Sequence, residues 1–300
     1  MLAETTVRVP ASSANLGPGF DTLGLALRIH LECRFRPAKA LEIRVSGRDV
    51  DSIPCDETNL VWRTAQQVAE AQGRTLPPLS LDLVNDIPIG KGLGSSAAAL
   101  TAGVVIADLA LGLKWDHHRI LDEAARIEGH PDNVAAAVLG SMTTAAIGSD
   151  GVTRAVRLEI PDAFSIAIVC PDFELPTNGM RAVLPSCYSR EDAVFNVQRA
   201  TLLVAAMAVG AADVFPEALA DRMHQPFRMA QVPGMDRILA LRTPGLLGCV
   251  LSGAGPAILV FFESGRDGAV AAVEAEFRRA GQPVETLFPE IDRDGLQIFR

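Results

Sequence analysis

The sequence predicts an α+β protein built in two layers and divided into two halves of similar length. Strand-like and helix-like patterns alternate along all 300 residues, and a chain of this length is expected to form about two domains. Turn residues 148–151 fall near the middle of the chain. We therefore expect an N-terminal domain over residues 1–155 and a C-terminal domain over residues 156–300.

Composition and charge exclude several classes of protein. Hydrophobic residues make up 49% and charged residues 21%, which is ordinary globular usage and excludes a disordered or collagen-like chain. The formal net charge of −9 disfavours nucleic acid as a partner, because an acidic chain repels phosphodiester backbones. Five dispersed cysteines without a C-x-x-C spacing indicate free thiols in a reducing compartment.

The beginning of the chain lacks the pattern of a signal peptide, since no basic segment is followed by an apolar one. The most apolar stretch, residues 97–113, is short for a bilayer span and better suits a buried helix. We therefore expect a soluble, cytoplasmic protein with no membrane partner.

Hydrophobic periodicity defines the elements of the first half. Residues 41–45 alternate as Leu, Glu, Ile, Arg and Val, the pattern of a half-buried strand. Residues 59–72 repeat apolar side chains at helical spacing and stop at Gly73. The Ala-rich stretch 95–113 predicts a long helix that ends near Gly112. The other elements expected here are strands over 5–9, 25–35, 79–84 and 141–147, and helices over 116–128 and 131–139.

The second half continues the mixture of helices and strands. A strong helical pattern covers residues 191–210, and residues 267–280 form an amphipathic helix. The other elements expected are strands over 152–158, 164–169, 248–251 and 257–262, and shorter helices around 215–223 and over 236–241.

Three glycine-containing segments interrupt these patterns: residues 10–21, residues 88–97, which we call the glycine loop, and residues 251–256. Alternating glycines in the glycine loop permit positive φ and close approach of the backbone to a ligand. The loop leads into the predicted long helix, whose N-terminal N–H groups and dipole attract anions. A phosphate-binding loop is therefore favoured, and the alternative is a loop that only caps a structural helix.

The glycine loop differs from two familiar nucleotide motifs. It is not a Walker A loop, because Lys91 precedes Gly94 and no Lys-Ser or Lys-Thr pair opens the helix. It also lacks the Rossmann spacing. In residues 251–256, Gly253 and Gly255 predict a tight turn that directs N–H groups at a ligand, with a plain turn as the equal alternative.

Taken in this order, the three segments resemble the motifs of the GHMP small-molecule kinases. Residues 88–97 match the family pattern P-x-x-x-G-L-G-S-S-A, and the resemblance extends from residue 7 to about residue 262. PASSANLGPGFDTLGLAL at residues 10–27 and EGHPDNVAAAVLG at residues 128–140 resemble the members that act on L-homoserine.

The resemblance implies both a fold and an activity. The fold would be an N-terminal half like domain 2 of ribosomal protein S5 and a ferredoxin-like C-terminal half. The activity would be transfer of the γ-phosphoryl group of ATP to the side-chain hydroxyl of L-homoserine, on the way to threonine. The resemblance also implies Mg²⁺ as a cofactor and a homodimer as the assembly.

The resemblance assigns the ATP phosphates to the glycine loop. Ser96, at the helix start, is the candidate for a Mg²⁺ or phosphate contact, because its hydroxyl points the same way as the N–H groups, and a carboxylate is expected as a second Mg²⁺ ligand. In the family that carboxylate lies eight residues before the histidine of H-P-D-N, where this sequence has Asp122 in place of the usual Glu. Glu123 and Glu128 are alternatives, so the metal ligand stays open. Ser95 either contacts phosphate or caps the helix. The expected ATP-binding residues are Pro88, Ile89, Gly90, Lys91, Gly92, Leu93, Gly94, Ser95, Ser96 and Ala97.

The resemblance also places the substrate. Asp21 is expected to receive the ammonium group in a charge-assisted pair. Arg181 and Arg228 are expected to bind the carboxylate, for which a planar guanidinium is suited, and the alternative is that they are solvated surface residues. The remaining expected residues are Asn15, Asn133 and Thr177 at the reacting hydroxyl, and His130, Gly253 and Gly255 around the substrate.

Other superfamily members place an aspartate near the hydroxyl as a base, where this sequence has Asn133. We expect that no side chain, the neighbouring Asp132 included, acts as a strong general base, because a loose transition state tolerates late loss of the proton. Two alternatives remain: a kinase of the same family acting on a mevalonate-type or sugar alcohol, and a nucleotide-binding regulator without catalysis. Asp21 and the two arginines favour an amino acid over a sugar.

Overall fold

Two β-sheets and ten α-helices make up the part of the chain described by the computed structural model, which covers residues 4–300 apart from the side chains of residues 177 and 178. The strands are β1 (Thr5–Ala14), β2 (Leu23–Pro37), β3 (Glu42–Gly47), β4 (Leu79–Asn85), β5 (Met142–Ile147), β6 (Thr153–Leu158), β7 (Ser165–Pro171), β8 (Leu246–Leu251), β9 (Ile258–Phe262), β10 (Val284–Leu287) and β11 (Gln297–Phe299). The helices are α1 (Leu60–Ala71), α2 (Ser95–Leu111), α3 (His117–Glu128), α4 (Asp132–Leu139), α5 (Thr177–Ala182), α6 (Arg190–Val209), α7 (Phe215–Ala218), α8 (Gln225–Arg228), α9 (Met235–Ala240) and α10 (Gly268–Arg279). The predicted α+β class is confirmed.

The seven-stranded sheet is organised around β2, which has 15 residues. This strand pairs with β1 along its length, with β5 through residues 23–25 and with β4 through residues 31–37. Strands β3 and β4 run parallel, and α1 forms the crossover between them. Both β6, which spans residue 155, and β11 at the end of the chain belong to this sheet. The boundary expected at residue 155 stays a prediction, and the last strand returns to the first half.

Helix α2 is mostly buried because its sequence is almost entirely Ala, Val, Ile, Leu and Gly and offers no polar face. It lies against β1 and contacts α1, α3 and α4. At Gly103 it approaches α1 so closely that a β-carbon would lie 2.6 Å from the Val61 carbonyl oxygen. This packing fixes the point where α2 begins, at Ser95, directly after the glycine loop.

The four-stranded sheet is antiparallel, with the order β10-β7-β9-β8. Helices α9 and α10 lie next to it. A second apolar cluster, which includes Val260, Val273 and Phe277, joins these helices to the sheet. The sheet supplies β8, whose last residue leads into the glycine segment 251–256.

Helix α6 has an exposed apolar surface, with Val197 and Val209 more than half exposed, while Leu203 and Met207 join the main core. Within residues 4–300 it is the one helix long and apolar enough to cross a bilayer, by length and composition alone. A single helix of this kind is weak evidence for a span. The expected soluble, cytoplasmic protein stays a prediction.

The structure departs from the predicted elements at a few places. The helix expected around residues 215–223 ends at Ala218, because the Asp221 carboxylate turns the chain by accepting hydrogen bonds from the amides of residues 223–225. Four short elements, α5, α8, β10 and β11, were not predicted. The four residues of α8 are too few for a periodic pattern, so its formation depends on packing rather than on local sequence. The other predicted helices and strands are present with shifted ends.

Replacing Gly103 with alanine is expected to lower the free energy of unfolding by about 1–3 kcal/mol, the usual cost of overpacking a core. The added methyl group would overlap the Val61 carbonyl and the Thr64 side chain. The matched control is Gly268→Ala, at the first position of α10 with open space around it, which is expected to be neutral or slightly stabilising. Urea denaturation measures both variants, and equal stabilities would contradict the close contact of α1 and α2.

Candidate active site

The three glycine-containing segments are far apart in the sequence, and hydrogen bonds join them in the structure. The Gly253 N–H donates to the Ala14 carbonyl at 3.1 Å. The Ser252 hydroxyl lies 2.8 Å from both the Gly92 carbonyl oxygen and Ser13 Oγ. The segments therefore form one site. Two further bonds of 3.1 Å hold the glycine loop, from Ser12 N–H to the Leu93 carbonyl and from Ala257 N–H to the Lys91 carbonyl.

The glycine loop has the backbone conformation that the sequence predicts. Gly90, Gly92 and Gly94 have positive φ angles of 70°, 79° and 68°. Gly94 is the N-cap of α2 and no side chain caps this helix, so the interpretation of Ser95 as the cap is wrong. The N–H groups of the first turn stay available to an anion. This favours phosphate binding over a loop that only caps a helix.

A cavity of about 320 Å³ lies against the glycine loop. Part of its wall is apolar and suits a flat aromatic ring. Most of this wall was not predicted, because its residues are dispersed over β2, β4, α1 and the segment before α1. Pro88 and Ile89, which were predicted, complete it. The apolar residues that were not predicted include Leu31, Ile53, Pro54, Leu60, Val61 and Leu83.

An ion pair between Asp21 and Arg181 stands in the polar part of the cavity. Arg181 donates to both oxygens of the Asp21 carboxylate, at 2.9 and 2.7 Å. The two side chains are 32% and 43% exposed, so the pair is accessible from solvent. The sequence placed both residues at the substrate, and the structure adds that each neutralises the other when no substrate separates them.

His130 and Asp132 form a second polar pair in the cavity wall, with His130 Nδ1 2.9 Å from Asp132 Oδ1. The hydrogen bond with Asp132 raises the pKa of His130 above its ordinary value, against the lowering effect of burial. The same Asp132 oxygen accepts from the Asn133 N–H. Asn133 in turn accepts from the Ser12 hydroxyl at 2.9 Å through Oδ1. The predicted residues His130 and Asn133 therefore lie together at the start of α4.

Arg228 is the buried cation of the site, with 2% of the residue exposed. It donates through Nε to the Met180 carbonyl at 3.0 Å and through Nη1 to the Gly253 carbonyl at 3.2 Å. Burial first, and then the nearby Arg181 guanidinium, lowers the pKa of Arg228. The alternative that Arg228 is a solvated surface residue is therefore wrong.

Asn15 also lines the cavity. Asn15 uses its amide for the local backbone, because Nδ2 donates to the Gly253 carbonyl at 2.9 Å and Oδ1 accepts from the Asp21 N–H at 3.0 Å. Gly253 lines the cavity, and Gly255 is not among the described lining residues. The side chain of Thr177 lies outside the described residues.

Of the three carboxylates considered for a cation, Glu128 is the one that the described cavity wall contains. The expectation that Asp122 binds the cation is corrected by its contacts. Its carboxylate oxygens accept hydrogen bonds from the Thr153 N–H and from Arg119, away from the cavity. Glu123 is buried between Arg119 and Arg126. Burial raises the pKa of Glu128, while the nearby His130 and the Ser96 hydroxyl act in the opposite direction.

Lys91 was expected among the ATP-binding residues, but its ammonium group is turned towards the second half of the chain. Nζ donates to the Pro171 carbonyl at 3.0 Å and to the Phe173 carbonyl at 2.8 Å. Lys91 is absent from the described cavity wall. Its side chain thus ties the glycine loop to the end of β7 instead of reaching a phosphate.

Two family models match the chain: GHMP kinases N terminal domain over residues 59–141 and GHMP kinases C terminal over residues 203–281. The chain belongs to the GHMP kinase family, and the expected two-domain GHMP kinase fold is confirmed.

Several similar proteins within the family are homoserine kinases. The chain is 61% identical to the homoserine kinase of Solibacter usitatus, over 98% of this chain and 97% of that one. It is 46% identical to the homoserine kinase of Deinococcus radiodurans, over 86% and 84% of the two chains. The crystal structure of homoserine kinase from Cytophaga hutchinsonii matches with a TM-score of 0.84 at 26% identity, covering 100% of this chain and 98% of that one.

Gly92→Ala is expected to raise the KM for ATP about tenfold, a loss of about 1.4 kcal/mol in binding. A β-carbon at this position would lie 2.2 Å from the Ser252 carbonyl oxygen and push the glycine loop away. Gly73→Ala is the matched control, since Gly73 also has positive φ but nothing within 4 Å of the added carbon. Steady-state kinetics compare the two. An equal rise in the KM for ATP in both variants would show that backbone strain causes the rise. It would contradict a role for the close contact between Gly92 and the Ser252 carbonyl.

Proposed function

We propose that the protein transfers the γ-phosphoryl group of ATP to the side-chain hydroxyl of L-homoserine. The observation that carries the proposal is a single cavity that combines the glycine loop with Asp21, Arg181 and Arg228. The loop at a helix N-terminus suits the phosphates, and the three charged residues suit a small zwitterion. The homoserine kinases similar to this chain support the same substrate. A homodimer, implied by the resemblance, and a cytoplasmic location remain predictions.

Substrate binding would exchange the partners of an existing ion pair. In the free protein Asp21 and Arg181 bind each other, and exposed pairs of this kind stabilise by only about 0–1 kcal/mol. A zwitterion offers an ammonium group to Asp21 and a carboxylate to Arg181 and Arg228. A sugar alcohol offers neither charge, and a mevalonate-type alcohol offers no cation. The pair therefore favours an amino acid as the acceptor.

The other polar groups of the cavity suit the reacting end of the substrate. Because Asn133 uses Oδ1 to accept from Ser12, its orientation is fixed and its Nδ2 group is left to donate to a ligand. We assign Asn133 to the substrate hydroxyl. Asn15 acts on the backbone that carries Asp21 and Gly253. The role of Thr177 rests on the resemblance alone.

The residues present fit a magnesium ion. Ser96, in the first turn of α2, and Glu128 both line the cavity. Such hard oxygen donors are the ligands that Mg²⁺ takes together with substrate phosphates. We assign Ser96 and Glu128 as the protein ligands. When bound, the ion would neutralise charge on the phosphate oxygens.

Release of ADP from Mg-ATP in the presence of L-homoserine tests the proposal directly. Parallel reactions contain L-threonine, L-serine, mevalonate and galactose. We expect strong ADP release with L-homoserine alone. Release with mevalonate or galactose would keep the ATP site and overturn the substrate assignment. Tight ATP binding without ADP release on any alcohol would favour a non-catalytic regulator.

Glu128→Gln is expected to raise the Mg²⁺ concentration needed for half-maximal activity about tenfold or more, because a charged ligand becomes neutral. Asp122→Asn is the matched control on the same helix, since its oxygens are used by Thr153 and Arg119. It is expected to leave the Mg²⁺ requirement unchanged while lowering the melting temperature. Titration of activity with Mg²⁺ compares them. A higher Mg²⁺ requirement in Asp122→Asn, with none in Glu128→Gln, would indicate that Asp122 is the metal ligand.

Asp132→Asn is expected to keep kcat within about tenfold of the parent, because an amide oxygen can still accept from His130 and Asn133. A general base contributes about 10²–10⁴-fold, so its removal would be easily seen. Steady-state kinetics, with circular dichroism and ATP binding as checks on folding, measure the effect. Loss of turnover in a folded, ATP-binding variant would show that Asp132 is the base.

A further inference from the structure

His224 is fully buried, four positions before Arg228, and has no role predicted from the sequence. The ring of His224 bridges two parts of the substrate site. Its Nε2 lies 2.7 Å from the Gly17 carbonyl oxygen. Its Nδ1 lies 3.2 Å from Nη1 of Arg228. One imidazole therefore contacts both the segment that carries Asp21 and the guanidinium that faces the cavity.

The hydrogen bonds assign the tautomer of this ring. A guanidinium can only donate, so Nδ1 of His224 accepts from Arg228 and carries no proton. The proton is then on Nε2, which donates to the Gly17 carbonyl. Burial lowers the pKa of His224 and outweighs the opposite effect of the Asp221 carboxylate, so the ring is neutral. In this form each nitrogen has a partner.

The segment held by His224 has an unusual backbone. Asn15, Leu16 and Gly17 follow one another with positive φ angles of 69°, 48° and 80°. Non-glycine residues in this region are strained and need outside support. The segment ends in Asp21, whose own φ is 53° and whose N–H donates to the Asn15 side chain. The bond from His224 to the Gly17 carbonyl is one such support.

Phe20 links the His224 ring to both arginines of the substrate site. Its ring stacks on the His224 ring, with centroids 5.5 Å apart and planes at 27°. The guanidinium carbons of Arg181 and Arg228 lie 5.4 and 5.5 Å from the Phe20 centroid. A displaced imidazole would therefore move the ring against which both arginines rest.

We propose that His224 is a positioning residue for the amino-acid substrate, holding the Arg228 guanidinium and the backbone before Asp21 at a fixed separation. This inference rests on the proposed function, because it assumes that Arg228 and Asp21 bind the carboxylate and the ammonium of one molecule. His224 itself is covered by protein and touches no substrate. Its effect should therefore appear in binding of the zwitterion and not in binding of ATP.

Three substitutions test the proposal. His224→Leu removes both hydrogen bonds and is expected to raise the KM for L-homoserine about tenfold or more, with kcat and the KM for ATP within about twofold. His224→Gln keeps a donor and an acceptor on a long side chain and is expected to restore most of the loss. His224→Asn has the same groups on a shorter side chain and should resemble the leucine variant. If the leucine variant does not fold, the test is the comparison of the KM for L-homoserine between the His224→Gln and His224→Asn variants.

His30→Leu is the control for a general loss of stability. His30 is half-buried and hydrogen-bonded to Asp292, outside the described cavity wall. This variant is expected to melt at a lower temperature with both KM values unchanged. The proposal is overturned if the Gln and Asn variants have equal KM values for L-homoserine, or if the KM for ATP rises in parallel. Absence of L-homoserine phosphorylation by the parent protein would instead overturn the proposed function.

Discussion

The site depends on the contact between the glycine loop and the segment 251–256, at Gly92 and Ser252. The Gly92 carbonyl can only accept, so the single proton of the Ser252 hydroxyl goes to it, and Ser13 donates to Ser252 in turn. No side chain fits at Gly92, because its β-carbon would overlap the Ser252 carbonyl. One hydroxyl thus joins the end of β1, the glycine loop and the turn after β8.

These hydrogen bonds of Ser252 explain how residues next to both sheets come to line one cavity. The glycine loop and Asp21 belong to segments beside the first sheet, whereas Arg181 and Arg228 lie on α5 and α8 in the second half. Lys91 adds a second connection through the carbonyls of residues 171 and 173. Because Ser252 and Lys91 hold these parts together through hydrogen bonds, a change at either residue can alter how the charged side chains meet the ligand.

Composition and spacing predicted those parts of the site that are continuous in the chain, whereas Arg181 and Arg228 were predicted from the family resemblance. The glycine loop, the helix after it and the polar segment before Asp21 could all be found from composition and spacing. The apolar wall could not, since Leu31, Val61 and Leu83 are ordinary strand and helix residues until packing brings them together. Asp122 and Glu128 show the same limit: they lie on one helix, and only its packing decides which carboxylate faces the loop.

Arg181 and Arg228 have different partners before substrate binds, so a substrate carboxylate would affect them differently. Arg181 already has Asp21 as a partner in a half-exposed pair, so binding exchanges one carboxylate for another. Arg228 is buried, and no carboxylate within residues 4–300 forms a salt bridge with it. Asp21, Asp221 and Asp132 act on Arg228 only through space. A buried charge without a directly paired carboxylate is costly, and a ligand carboxylate relieves that cost. Arg228 should therefore contribute most of the affinity for the carboxylate, while Arg181 and Asp21 require that the ligand also carry an ammonium group.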